Sequence, residues 1–507
     1  MDKMHNENHK LPLFKLLLLS LALFLIATQI WHSFNSPLWT DDAFFGTVAK
    51  NLASGNGYSS SDTRWNSAFS SYITAGPVII LPAALMIKIF GNQHWVLGLT
   101  ITMLIWILLT MIFVAWRSDK KFPALFLALL LCLLFSINSA NYGIYNNSYL
   151  SLWYLMLGEM PSIFLTILGA MILFSQESRK KMIGGGLVLG LAIMCKNLSA
   201  IACTIILLTN SIKIIFGQKN LREKILLIML SGIGFVVPFL TFELVKIIFL
   251  GLDYYFEAQL QNLWFHQVAG ASKDPRPVEK IYQAFTVFAY SIILLVISAA
   301  LLIFQARNHA KKNANAKTYY WLGIALIASF VFHALWWIFF SVFINYRYLI
   351  AALFYCIFGI SFLICCTDSI SKTLKILISL IVLFRFPSLI YMASHAFDKS
   401  SKLQEQLQIT EEIVKLQKQG IAMVSCGLNF ELEYLLPGSG NFMDCRNLPK
   451  NLINKNFMLV NDFVIPNKVL MEGTKSTEIR ELPDEIMLRC NKKHLATATY
   501  LLSWCVK

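Results

Sequence analysis

Two adjacent carboxylates, Asp41 and Asp42, follow the first long apolar stretch of the chain directly. Acidic side chains at the end of a membrane helix cap the next helix, or they face water or a polar pocket. Behind them Phe44, Val48 and Leu52 recur at helical spacing, which lays an apolar stripe against a membrane surface. The stretch is therefore either a capped interfacial helix or the source of a catalytic base.

A third carboxylate, Glu159, lies in the segment Leu157-Gly158-Glu159-Met160-Pro161. The helix dipole stabilises an acid in the first turn of a helix, and a proline beside it suits that turn. Alternatively, Glu159 faces Asp41 and Asp42 above one cavity. These three carboxylates could then hold a divalent metal, or they could divide the roles of base and orienting group. The sequence indicates no other cofactor.

Two cations lie where one helix ends and the next begins. Lys196 ends a glycine-rich run in which Gly186 and Gly190 form a small face for close helix packing. It either extends to lipid headgroups or points into a cavity and binds phosphate. Arg347, next to Tyr346, has a planar fork that suits phosphate, although an interface anchor flanked by tyrosines is the alternative.

Residues 251–280 form an aromatic-rich loop that holds two further candidates, His266 and Arg276. These side chains could contact a donor or an acceptor from the loop, but nothing in their spacing assigns a catalytic role. His333 lies inside an apolar helix beside two tryptophans, where structural packing is the simpler interpretation.

The composition places these groups in a polytopic membrane protein. Hydrophobic residues make up 57% of the chain, charged residues 14%, and the mean hydropathy is +0.60. Runs of about 20 apolar residues can each cross a bilayer as a helix. The net charge of +15 resides mainly in short loops between apolar runs, which indicates the topology of a membrane protein rather than nucleic-acid binding.

The loop charges predict about eleven crossings, with the amino terminus in the cytoplasm. The first crossing is a retained anchor, because it has no small-x-small cleavage site. Residues 33–93 form an outer loop that carries the acidic motif, and residues 77–90 within it form a helix in the membrane interface. The predicted crossings are about 11–32, 94–116, 122–138, 160–175, 182–195, 198–216, 225–250, 281–304, 319–343, 349–367 and 374–396.

The chain changes character after residue 397, where long apolar runs stop and charge rises. Residues 411–419 read as a helix, and residues 421–425 and 457–460 read as short buried strands. We therefore expect a mainly α transmembrane domain, 1–397, and a small extracytoplasmic α/β domain, 398–507. Its four cysteines predict two disulfides, Cys426–Cys445 and Cys490–Cys505, with other pairings or free thiols as alternatives.

Five segments, in this order along the chain, resemble the GT-C superfamily of membrane glycosyltransferases that use polyprenyl-phosphate sugars. The nearest branch is the bacterial one related to protein mannosyltransferases and to the aminoarabinose transferase of lipid A. The segments are Asp41-Asp42-x-x-Phe45 with Ala49-x-Asn51-Leu52-x-x-Gly55, Thr74-Ala75-Gly76-Pro77 to Leu81-Pro82 with Ile89-Phe90-Gly91, Leu157-Gly158-Glu159-x-Pro161, Gly186-Leu187-x-x-Gly190-Leu191-Ala192-x-x-x-Lys196, and Tyr346-Arg347-Tyr348-Leu349.

This resemblance implies a GT-C-type arrangement of helices and one inverting displacement at the anomeric carbon of a lipid-linked sugar. An aspartate, Asp41 or Asp42, would take the proton of an acceptor hydroxyl. Lys196 and Arg347 would neutralise the departing phosphate. The family pattern is often Asp-Glu with a later tyrosine, whereas this chain has Asp-Asp with Phe45, so the identity of the base is open.

The implied partners are a polyprenyl-phosphate-linked hexose or pentose, a lipid, glycan or protein acceptor, and membrane lipids. The implied location is the bacterial cytoplasmic membrane. Two alternatives are a transporter or flippase, and an O-antigen polymerase or ligase that also handles lipid-linked glycans. Polar groups that gather on one side of the membrane disfavour the transporter, and the scarcity of arginines in residues 251–280 disfavours the polymerase.

Overall fold

The computed structural model describes the chain from residue 11 to residue 505 with several gaps. The described residues are 11–61, 68–70, 73–116, 121–136, 156–260, 276–311, 313–341, 347–367, 371–395, 400–425, 430–438, 441–444, 456–462, 492–496 and 500–505.

Helices dominate the fold, and short strands follow them near the carboxyl terminus. The helices are α1 (Leu11–Asn35), α2 (Thr40–Ala53), α3 (Pro77–Phe90), α4 (His94–Ala115), α5 (Lys121–Ser136), α6 (Glu159–Ser175), α7 (Arg179–Cys195), α8 (Ala200–Ile215), α9 (Leu221–Leu250), α10 (252–260), α11 (Pro277–Ala310), α12 (Ala314–Phe339), α13 (Arg347–Cys366), α14 (Lys372–His395), α15 (Ser401–Lys418) and α16 (Phe430–Leu435). The strands are β1 (Ala422–Ser425), β2 (Met443–Asp444), β3 (Phe457–Asp462), β4 (Lys492–Ala496) and β5 (Tyr500–Cys505).

A helix lies at each of the eleven positions that the sequence predicts as crossings. Among the described residues, six of the helical segments are long and apolar enough to span a bilayer by length and composition. The chain is therefore a mainly α, multi-pass membrane protein with a small α/β portion. In the most buried of these six segments, Tyr348–Cys366, the protein buries 94% of an apolar 18-residue stretch, against 17% in Leu221–Leu250.

The chain divides into two compact units. Unit 1 comprises Met1–Trp31, Thr74–Ile79 and Ile101–Phe397, and unit 2 comprises His32–Ile73, Ile80–Thr100 and Asp398–Lys507. The predicted tail, 398–507, thus falls in unit 2 together with the residues that surround the aspartate pair.

Close helix packing holds unit 1 together. In particular, α7 packs against α9, and α12 packs against α13. The small face predicted on α7 is confirmed, because a Cβ atom at Gly186 would overlap the carbonyl oxygen of Ser231, and one at Gly190 would overlap that of Phe235. Glycine at both positions lets the backbones of α7 and α9 approach closely.

Unit 2 contains a five-stranded sheet in the order β2-β1-β3-β5-β4. Strand β1 pairs in parallel with β2 and β3, and β5 is antiparallel to both β3 and β4. Helix α15 contributes Ile409, Ile413 and Leu416 to a buried core with Met423 and Met458. The strands predicted at 421–425 and 457–460 correspond to β1 and β3.

Helix α2, which carries the aspartate pair, corrects two expectations. It begins at Thr40 with Trp39 before its first turn, so neither aspartate is the helix cap. Its predicted lipid-facing stripe is also wrong, because Phe44 and Val48 are buried inside unit 2. The ring centroid of Phe44 lies 5.0 Å from that of Phe430 on α16. The apolar side of α2 therefore packs on protein.

Candidate functional site

The first part of the candidate site is a buried ion pair in unit 1. Helix α6 begins at Glu159, directly after Gly158, which has a φ of +80°. Helix α7 ends at Cys195, and Lys196 follows in an extended conformation. The Lys196 Nζ lies 3.7 Å from the Glu159 Oε1, and the two side chains are 11% and 3% exposed. Lys196 therefore lies inside the protein beside a carboxylate, and not at an exposed surface.

Close backbone contacts fix this pair. Ala75 forms an antiparallel bridge with Lys196, and the Gly76 amide donates to the Cys195 carbonyl at 3.3 Å. A Cβ atom at Gly76 would overlap the Met194 carbonyl, and one at Gly158 would lie 2.8 Å from the Cys195 oxygen. The structure thus brings together three segments that the sequence singled out separately, and glycine is needed at the points of contact.

Polar groups continue from the ion pair into the helices of unit 1. The Cys195 thiol donates to the Gly158 carbonyl at 3.4 Å. The hydroxyl of Tyr355 lies beside those of Thr166 and Ser199. The ring centroid of His333 lies 6.2 Å from that of Tyr355. His333 is only 1% exposed, in agreement with its predicted place in the helix interior.

The second part of the candidate site is the aspartate pair, which lies in unit 2. Asp41 is exposed, whereas Asp42 is 3% exposed. Both lie in the first turn of α2, where the helix dipole favours a negative charge. Burial raises the pKa of Tyr434 well above its ordinary value, and the charge of Asp42 raises it further.

A buried carboxyl of the tail, Glu431, faces the start of α2. The Thr40 hydroxyl donates to the Glu431 Oε1 at 3.0 Å. Glu431 is 3% exposed, and this burial is the main reason why its pKa is raised. The charge of Asp41 raises this pKa further, whereas the charge of Lys402 lowers it. The sequence carried no signal for Glu431, because it lies far from the acidic motif along the chain.

Lys50 connects α2 to α16 through hydrogen bonds. Its ammonium group donates to the carbonyl oxygens of Glu433 at 2.7 Å and Leu436 at 2.6 Å. Burial lowers the pKa of Lys50 to about 8, and the charge of Glu433 partly opposes this shift. Lys50 was not among the residues that the sequence singled out, although a lysine among the apolar residues of an amphipathic helix was a usable signal.

Of the remaining predicted site residues, Arg276 is the one whose side chain is described. Arg276 precedes α11 with a φ of +45°, and its Nη1 lies 3.6 Å from a carboxylate oxygen of Glu279. Arg347 begins α13, but its side chain is not described. His266 and Tyr346 lie outside the described residues. The predicted approach of Glu159 to the aspartate pair joins different units and stays a prediction.

The predicted divalent metal also stays a prediction. In the described part of the chain, no three His, Cys, Asp or Glu side chains are grouped so that they could hold a metal ion. The cysteines within and beside the helices are thiols, namely Cys132, Cys195, Cys203, Cys356, Cys365 and Cys366. In the tail, Cys426, Cys445 and Cys490 lie outside the described residues, and only the backbone of Cys505 is described, so the predicted disulfides are untested.

No protein-family model matches the sequence, and comparison with curated protein sequences gives no match. Comparison with solved structures finds ArnT from Cupriavidus metallidurans bound to undecaprenyl phosphate, with a TM-score of 0.57 and 10% identity. That match covers 97% of this chain and 98% of the ArnT chain. The apo ArnT structure gives a TM-score of 0.42 at 10% identity over the same shares of both chains.

A further match is the oligosaccharyltransferase AglB from Archaeoglobus fulgidus in complex with an inhibitory peptide and a dolichol-phosphate. Its TM-score is 0.46 at 8% identity, and it covers 88% of this chain and 69% of the AglB chain. The match to undecaprenyl-phosphate-bound ArnT covers nearly the whole of both chains and shows the fold. The chain therefore has the GT-C-type fold that its five sequence segments predict.

Proposed function

We propose that this protein is an integral-membrane glycosyltransferase. It moves a hexose or pentose from a polyprenyl-phosphate donor to a lipid, glycan or protein acceptor. The observation that carries the proposal is the buried Glu159–Lys196 pair, which backbone contacts fix at the junction of three separate segments. A fold shared along nearly the whole chain with an ArnT structure that holds undecaprenyl phosphate supports the same class of donor.

Lys196 is the proposed phosphate-binding cation. Negative charge develops on the phosphate oxygen as the bond to the sugar breaks, and a cation held in place beforehand stabilises that charge. Glu159, 3.7 Å from the ammonium nitrogen, compensates its charge in a buried place and orients it. In this proposal Arg347 and Tyr346 contribute further phosphate contacts, and His266 and Arg276 contact the donor or acceptor from their loop.

One aspartate of the pair, Asp41 or Asp42, is the proposed base. The acceptor hydroxyl oxygen attacks the anomeric carbon, and the carbon–phosphate oxygen bond breaks with its electron pair on the phosphate. The acceptor proton passes to the carboxylate, so that the sugar is transferred with inversion. A base positioned in this way contributes about 10²–10⁴-fold to a rate.

The proposed location is the bacterial cytoplasmic membrane, with the amino terminus inside and residues 398–507 outside. The clusters of lysine and arginine in alternate short loops support this orientation. Residues 1–397 are the proposed transmembrane catalytic part. Because unit 2 joins the tail to the residues around α2, the aspartate pair would lie on the same outer side as the tail.

The experiment that tests this proposal separates binding of the donor from transfer. The purified protein in lipid is given a panel of radiolabelled polyprenyl-phosphate sugars and a membrane-extract acceptor pool. Binding of undecaprenyl phosphate is measured separately. The variants are D41N, D42N, K196M and R347A. The control is K213M, because Lys213 also forms an ion pair, 3.6 Å from Glu177, elsewhere in unit 1.

We expect one aspartate variant to lose about 100-fold or more of its transfer rate while it still binds undecaprenyl phosphate. K196M is expected to weaken that binding by about tenfold or more, whereas K213M leaves it unchanged. If the wild-type protein transfers sugar from no donor but moves a solute across liposomes, the protein is a transporter and the proposed enzyme function is refuted. If K196M and wild type bind undecaprenyl phosphate equally well, Lys196 does not bind the phosphate.

A further inference from the structure

We propose that Glu431, in the carboxyl-terminal part of the chain, works with Asp41 as a carboxyl pair that receives the proton of the acceptor hydroxyl. This inference rests on the proposed glycosyltransferase function and adds a residue that the sequence did not assign. It gives the tail a direct part in the reaction, whereas the resemblance to known transferases gave it none.

The Glu431 carboxyl lies at the junction of α2 and α16. The Thr40 hydroxyl, next to Asp41 in the chain, donates to the Glu431 Oε1 at 3.0 Å. The Phe44 and Phe430 rings pack edge to face beside this bond, with centroids 5.0 Å apart. Two contacts on neighbouring turns therefore hold the Glu431 carboxyl at the start of the aspartate helix.

The two oxygens of the Glu431 carboxyl differ in their hydrogen bonding. Its other oxygen, Oε2, is buried, and no hydrogen-bond donor within the described ranges reaches it. A buried carboxylate oxygen without a donor costs about 1–3 kcal/mol or more, and it costs less if the group is protonated or bonded to a ligand. Glu431 thus has one oxygen held in place and one available for a proton.

Charged groups on two other helices lie near Glu431. Burial raises the pKa of Glu431, and the charge of Asp41 on α2 raises it further. The hydrogen bonds from its own backbone N–H and from Thr40, and the charge of Lys402 on α15, only partly oppose this shift. Asp41 itself is exposed and able to meet an acceptor. Two carboxyls with different surroundings can take different roles in one proton transfer. One contacts the acceptor as the base, and the other then retains the proton.

The step balances without a co-reactant. The acceptor oxygen forms a bond to the anomeric carbon, and the bond from that carbon to the phosphate oxygen breaks with its electron pair on the phosphate. The acceptor proton moves to Asp41 and is shared with Glu431. The pair returns the proton to water before the next turnover.

A spectroscopic experiment tests the pair without any need for transfer activity. The infrared band of the protonated Glu431 carboxyl is identified from the difference between wild type and E431Q, and its disappearance is followed against pH. D41N should lower the midpoint of this titration by about 0.5 pH unit or more, because a like charge is removed. D42N is the matched control and should leave the midpoint unchanged. An unchanged midpoint in D41N would overturn the pair.

A kinetic experiment then tests its role. E431Q should lower the transfer rate by about tenfold or more and move the acidic limb of the pH–rate profile to lower pH, while donor binding is retained. The control is E433Q on the same helix, where Asn441 binds the carboxylate through its backbone N–H at 3.1 Å. E433Q should leave the acidic limb unchanged.

The possible failures can be told apart. If wild type transfers sugar and E431Q has the same rate and profile, the role of Glu431 is refuted and the proposed function stands. If wild type transfers no sugar at all, the proposed function is refuted, and the catalytic role of Glu431 with it. The thermal unfolding of E431Q is measured beside that of wild type, and an unchanged unfolding temperature shows that a loss of rate does not come from unfolding.

Discussion

The Lys196 ammonium nitrogen lies 3.7 Å from a Glu159 carboxylate oxygen, at the junction where α6 begins and α7 ends. Both side chains are buried, and each compensates the charge of the other. The backbone of Lys196 also forms a bridge with Ala75. This relationship combines a structural role with a chemical one, and the two roles can be separated by mutation.

E159Q and K196M should each destabilise the protein, because each removes one member of a buried ion pair. The expected loss in the free energy of unfolding is about 3–5 kcal/mol for each single variant. The double variant E159Q/K196M should regain most of the lost stability. It should not regain sugar transfer. Thermal unfolding in detergent and the transfer assay check the two parts. A double variant that recovers transfer would show that the pair is only structural.

G76A should disrupt the site through the backbone. The added Cβ would overlap the Met194 carbonyl oxygen, so the bridge between Ala75 and Lys196 must shift. We expect a lower unfolding temperature and at least a tenfold loss of undecaprenyl phosphate binding, since a small displacement at a preorganised site has a large effect.

G232A is the matched control for this substitution. Gly232 lies on a helix of the same unit, and a Cβ there would meet no atom within 4 Å. Alanine should be tolerated or slightly stabilising at that position. Equal phosphate binding by G76A and G232A would contradict the argument for close contact.

Lys50 should make the stability of the protein depend on pH. Burial lowers its pKa from 10.5 to about 8, so between these values the unfolded chain binds a proton that the folded chain has released. The free energy of unfolding contributed by this group therefore rises with pH across this window, by at most about 3 kcal/mol. Thermal unfolding of wild type and K50M from pH 7.5 to 10 measures the effect. The stability of wild type relative to K50M should increase with pH, and a constant difference would refute the lowered pKa.

The Cys426–Cys445 disulfide remains a prediction from the even number of cysteines in the tail. Peptide mapping of oxidised protein should recover the two cysteines in one cross-linked species. Recovery of both as alkylated thiols without reduction would exclude the bridge.

The sequence by itself determined the helical framework of this protein. Apolar runs of about 20 residues must form helices in a bilayer, because no other structure satisfies their backbone groups there. The close packing of Gly186 and Gly190 was also predictable, since glycines four residues apart share one helix face. The segments around Ala75, Glu159 and Lys196 stand out one by one in the sequence, but their spacing along the chain does not predict that they converge.

Tertiary structure decided where the aspartate helix packs and what surrounds its acids. The pattern of Phe44, Val48 and Leu52 specifies an apolar face, but periodicity does not distinguish a lipid surface from a protein surface. In the folded protein that face meets Phe430, and Lys50 and Thr40 bond to the same short helix. Glu431 reaches the aspartate helix only because the chain folds back over more than 380 residues. Burial and neighbouring charge, which depend on those distant contacts, then decide which carboxyl has a raised pKa.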